Sequence, residues 1–104
     1  MELTERNAGE RLTLRAGEPV TLALTETPTT GYRWHADDTA GLELLGDTYD
    51  GPTEPRGAAG TRRLTFTPRR TGPLRLRVAL RRSWESTEAD EFVVDLEVAD
   101  AEGR

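Results

Sequence analysis

Apolar side chains recur at every second position through most of this chain, and that rhythm admits few folds. Val20, Leu22 and Leu24 alternate with Thr21, Ala23 and Thr25, and Leu64 and Phe66 with Arg63, Thr65 and Thr67. Leu74, Leu76, Val78 and Leu80 alternate with Arg75, Arg77, Ala79 and Arg81; Phe92, Val94, Leu96 and Val98 do so with Val93, Asp95, Glu97 and Ala99. A period of two places such residues on one face of a β-strand. "RLTLR" and "YRWHA" repeat the pattern over shorter spans, and "LELLGDTY" carries it weakly. Turn residues separate the runs at 16–19, 28–31, 40–41, 51–52 and 68–73. No window joins helix caps to a 3.6-residue apolar stripe. Seven to eight short strands in 104 residues predict an all-β, immunoglobulin-like β-sandwich. Its sheets pack through the alternating apolar positions. One domain over residues 1–104 is expected, with 100–104 a frayed tail.

Composition removes several functions. The chain has no cysteine, hence no disulfide, thiolate metal site or thiol nucleophile, and a single histidine, His35. No cofactor or metal is predicted. No stretch approaches the roughly 20 apolar residues of a membrane span. The opening "MELTERNAGERL" lacks the apolar region of a signal peptide, so the expected location is inside the cell unless a leader was trimmed. Nineteen acids offer no carboxylate pair singled out by spacing, so catalysis is not expected.

The charge is strongly polarised: nine arginines and no acid lie between Arg56 and Arg82, then eight acids and one arginine from Ser83 onward. Alone, the basic block would suggest a nucleic-acid surface. An antiparallel hairpin with Leu80 opposite Phe92 places Arg77 against Asp95 and Arg75 against Glu97. Such outward cross-strand pairs are worth roughly 0.2–1 kcal/mol each and neutralise the surface. Nucleic acid is therefore not an expected partner.

Lettering the seven clear strands A to G, the B–C, D–E and F–G connections fall at one end of a sandwich. All three are elaborate. The B–C connection holds "TPTTGY" (residues 27–32): Pro28 fixes φ, Thr29 and Thr30 supply hydroxyls, and Gly31 permits a positive φ before Tyr32. The D–E connection holds "GAAGT", Gly57, Ala58, Ala59, Gly60 and Thr61, where glycines keep the loop thin enough for backbone donors to approach a partner. The F–G connection, residues 81–91, is long for a hairpin and holds "RRSWE": Arg81, Arg82, Ser83, Trp84 and Glu85. Nothing local buries Trp84, a residue type over-represented in binding hot spots. Arg81 and Arg82 are placed to meet acids on a partner. Trp34 reads as core between the sheets, and His35, pointing the opposite way, as a surface residue.

In order and spacing these three stretches resemble the chagasin-type inhibitors of papain-like cysteine peptidases. Those carry an Asn-Pro-Thr-Thr-Gly-aromatic loop, a glycine-rich loop and an Arg-Pro-Trp loop, and the resemblance covers nearly the whole chain. It implies that the B–C loop enters the peptidase cleft over the catalytic cysteine while the other two loops grip its walls. A papain-like cysteine peptidase is then the partner, bound reversibly, with no nucleophile supplied by the inhibitor and a monomer as the expected state. Two positions depart from the pattern: Thr27 stands in place of Asn and Ser83 in place of Pro. Thr27 retains a hydroxyl for closing the loop; without the proline the Trp84 loop is freer and costs more to order on binding. An immunoglobulin-like adhesion or interaction module with a non-peptidase partner is the competing reading.

Overall fold

A computed structural model describes residues 1–51 and 58–100 and turns the two-residue rhythm into two four-stranded sheets. The strands are β1 (Glu2–Leu3), β2 (Arg11–Arg15), β3 (Val20–Glu26), β4 (Tyr32–Asp38), β5 (Leu42–Asp50), β6 (Gly60–Pro68), β7 (Gly72–Arg82) and β8 (Glu88–Ala99). One sheet has the order β1-β3-β6-β5, the other β2-β8-β7-β4. Strands β2 to β8 are the expected A to G. The two-residue β1 was unforeseen, being too short to show alternation.

Between the sheets lie Val20, Leu22 and Leu24 of β3, Leu64 and Phe66 of β6, Leu76 and Val78 of β7, and Phe92 to Val98 at alternate positions of β8, all buried. Trp34 joins them, as its place in the pattern requires. Near the N-terminus a 3-10 turn, Glu5–Asn7, carries the chain from one sheet to the other. It is closed by a capping box between Thr4 and Asn7. β1 then pairs in parallel with β3, and β2 in parallel with β8.

The β7–β8 hairpin differs from expectation in register and length. Val78, not Leu80, lies opposite Phe92, and β8 begins at Glu88, so the connection is only residues 83–87. Residues 88–91 are too polar to show strand alternation, which hid this part of β8 from the sequence. The two-residue shift leaves every side chain on its expected face, because the pleat repeats every two residues. Arg75 therefore meets Asp95, at 2.9 Å, rather than Glu97. Arg77 pairs with Glu88 and Glu91 rather than Asp95. The neutralisation survives with different partners.

β5 carries the weak alternation of "LELLGDTY" because it contains a bulge between Leu44 and Gly46. Leu44 and Leu45 are exposed there, on an edge strand.

Candidate functional site

Glu26 ends β3 in one sheet, and Tyr32 starts β4 in the other, paired with Arg82 at the end of β7. Gly60, starting β6, lies opposite Glu26. The B–C, D–E and F–G connections thus leave from the same end of the sandwich.

The B–C segment is a 3-10 turn over Pro28–Thr30, with Thr27 at its N-cap and Gly31 closing it at φ 80°. That left-handed conformation strains any residue with a Cβ, which is the reason for glycine here. The closing hydroxyl is not that of Thr27, which makes no capping bond. Thr30 supplies it instead: its Oγ1 donates to the Thr27 carbonyl at 2.7 Å and accepts from the Tyr32 N–H at 3.2 Å. The Thr30 and Gly31 N–H groups donate to the Thr27 and Pro28 carbonyls at 3.2 and 3.0 Å. Thr29 stands exposed at the tip.

Arg81 and Arg82 belong to β7 rather than to a loop, and both are turned to internal use, not held free for a partner's acids. Arg81 places two donors on Asp37 Oδ2, at 2.8 and 3.0 Å, and a third on the Glu85 carbonyl at 3.2 Å. Arg82 stacks over the Tyr32 ring, 4.4 Å from its centroid, and donates to the Thr30 carbonyl at 3.3 Å. Beyond them the Glu85 N–H donates to the Arg82 carbonyl at 3.1 Å, closing a β-turn over Ser83 and Trp84. Trp84 is 74% exposed. It leans toward the B–C loop rather than onto its own sheet: a methyl group on Gly31 would lie 3.2 Å from Trp84 Cη2.

Of the D–E residues, Gly57 lies outside the described residues. Ala58 is half-buried and Ala59 exposed; Gly60 and Thr61 are already strand. Gly60 is needed for packing rather than thinness: a Cβ there would collide with Tyr49 Oη and come within 2.7 Å of the Asp50 carbonyl oxygen.

Beneath this rim lies a charged cluster the sequence reading missed. Glu26 is 3% exposed, with Oε2 2.6 Å from Arg62 Nη2. Arg62 also donates to Asp47 Oδ1 at 2.9 Å, and Asp47 Oδ2 accepts from Arg33 at 2.9 Å. Burial of Arg62 opposes its charge, but hydrogen bonds and attraction from Glu26 and Asp47 outweigh it and hold the guanidinium pKa above its ordinary value. A signal was available. Continuing Val20-Leu22-Leu24 by two reaches Glu26, and counting back from Phe66 and Leu64 reaches Arg62, so parity aims an acid and a base inward on adjacent strands.

His35 is half-buried with Nε2 shielded and unpaired, not the surface residue expected. Among the described residues no group of acids or histidine is placed to hold a metal, and no helix is long and apolar enough to cross a membrane.

A sandwich that presents the B–C and F–G turns at one end, braced against each other through Arg82, has the form of a loop-borne binding protein. Residues 13–98 match the chagasin family of peptidase inhibitors, I42, and the chain belongs to that family. It is an inhibitor and not an enzyme, which decides against the adhesion-module reading. Comparison with curated proteins gives no match. The chain is similar to amebosin, with 30% identity, TM-score 0.79 and coverage of 95% of this chain and 97% of that one. The cysteine protease inhibitor EhICP2 of Entamoeba histolytica shares the fold at 22% identity and TM-score 0.78, covering 94% of each chain. PbICP-C, solved in complex with falcipain-2, shares it at 13% identity and TM-score 0.67, covering 94% of this chain and 98% of that one.

Proposed function

We propose that the protein acts as one domain that inhibits papain-like cysteine peptidases by seating the B–C, D–E and F–G rim in the active-site cleft. The B–C turn fills the centre of the cleft and Trp84 anchors one wall. What carries this reading is the state of the B–C carbonyls. Those of Thr27 and Pro28 accept hydrogen bonds within the turn, and that of Thr30 accepts from Arg82. A peptidase attacks an extended peptide whose carbonyl is free to enter its oxyanion site. A turn folded back on itself, with these carbonyls engaged, occupies the same space without offering a bond to cut. Its shape exists before binding, which lowers the ordering cost of association.

PbICP-C in its complex with falcipain-2 supports the choice of enzyme class by fold analogy. The test is a progress-curve titration of papain beside a serine peptidase, using wild type, Trp84→Ala and Thr29→Ala/Thr30→Ala. Inhibition of papain alone, weakened in both variants while their melting transitions stay cooperative, is the expected result. Equal inhibition by all three proteins would remove the rim from the inhibitory surface.

A further inference from the structure

The B–C loop leaves one sheet and enters the other, so β3 and β4 share no ladder of backbone hydrogen bonds. Sheet pairing therefore does not fix the width of the loop's base. Two bonds cross it instead. The Trp34 backbone N–H donates to Glu26 Oε1 at 2.9 Å, and the Trp34 indole N–H donates to the Thr25 carbonyl at 3.0 Å. Each stem lends a side chain to the other's backbone. The Glu26 carboxylate is in turn oriented by Arg62, which Asp47 holds from β5.

Stability alone is a poor explanation for this arrangement. A buried ion pair is often matched or bettered by apolar residues of similar volume, because desolvation offsets the attraction. What an apolar pair cannot supply is an acceptor aimed at the Trp34 N–H. At 3% exposure Glu26 is also closed off from any partner. We propose that Glu26, aimed by Arg62, is a positioning residue that sets the gape of the B–C loop. The consequence for inhibition rests on reading that loop as the one that enters the cleft.

The test compares two double variants, Glu26→Leu/Arg62→Met and Glu26→Gln/Arg62→Met. Neither leaves a lone buried charge; only the second keeps an oxygen for the Trp34 N–H. Two readouts are taken: association and dissociation rate constants with papain, and nitrogen-15 relaxation of Thr29, Thr30 and Gly31 in the free protein. In the Leu/Met variant the loop amides lose order. The association rate falls about tenfold if about a tenth of molecules keep the competent loop, while dissociation is unchanged. The Gln/Met variant recovers most of both losses. If the two variants behave alike and follow melting temperature only, the proposal is wrong. Should wild type fail to inhibit papain, the functional reading falls, yet the relaxation data still decide the positioning role. Should the Leu/Met variant not fold, Glu26→Met/Arg62→Met, which fills the site with an unbranched side chain and likewise offers the Trp34 N–H no oxygen acceptor, is expected to loosen the same amides. Unchanged relaxation there would overturn the proposal.

Discussion

Gly31 meets two demands at once: a backbone at φ 80° and a neighbour, Trp84, close to where a side chain would grow. Gly31→Ala is therefore expected to destabilise the fold by about 1–2 kcal/mol from the left-handed backbone alone. It should also push Trp84 aside and weaken peptidase binding; urea unfolding and a papain titration read the two effects separately. Arg62 poses the opposite case. Arg62→Met alone strands the Glu26 carboxylate in the interior, and breaking a buried pair on one side costs roughly 3–5 kcal/mol. A urea midpoint unchanged from wild type would show that water reaches Glu26. The sequence made Gly31 and Trp34 legible, since a turn glycine and a tryptophan on the apolar parity each admit one simple reading. It hid Glu26 and Arg62, because a charge at the end of an apolar run looks like its termination. Parity was the better guide there, for charge pairing across strands satisfied both inward positions.

The strand pattern carried the faces of the sheets faithfully and their ends poorly. Alternation in β7 and β8 assigned inward and outward sides, but the polar residues 88–91 gave no mark of strand. The F–G connection thus looked long when it is five residues, 83–87, opening with a β-turn over Ser83 and Trp84. That turn gives the family departures a physical meaning. Ser83 occupies the second position of the β-turn closed by the Glu85 N–H and Arg82 carbonyl, the position at which proline is favoured. Ser83→Pro is expected to stabilise the protein by about 0.4–1 kcal/mol, chiefly by restricting the unfolded chain. It should also slow dissociation from papain by holding the Trp84 turn. At the head of the B–C turn, Thr27 is an N-cap that does not cap. Asparagine is a stronger N-cap than threonine, so Thr27→Asn is expected to raise the melting temperature. A lower value in either variant would show that the turn has reorganised around the native residue.

For the molecule as a whole, the acid side of its stability curve follows from carboxylates that the folded chain keeps ionised. Partial burial works against the Glu5 charge, but hydrogen bonding from Thr25 prevails and holds its pKa below the ordinary 4.5. The hydrogen bond from Arg75, opposed by slight desolvation, does the same for Asp95. A carboxylate lowered on folding lends stability above its unfolded pKa and loses it as pH falls through the folded value. Urea midpoints should therefore be flat near neutrality and decline from about pH 5 downward, with a shallower decline in Glu5→Gln. The rim supplies the stricter test, because its B–C and F–G loops are tied to each other. Arg82 reaches from β7 to the Thr30 carbonyl, and Trp84 lies against Gly31, so disturbing one loop disturbs the platform of the other. Loops that act as one surface do not lose affinity independently. In a cycle of wild type, Trp84→Ala, Thr29→Ala/Thr30→Ala and all three changes together, a coupling energy of about 0.5–3 kcal/mol in papain binding is expected. The triple variant should lose less than the sum of the separate losses, since once either loop has slackened the other has little pre-formed shape left to lose. Strict additivity would mean that each loop makes its contacts alone and that the bracing by Arg82 serves the fold rather than the inhibition.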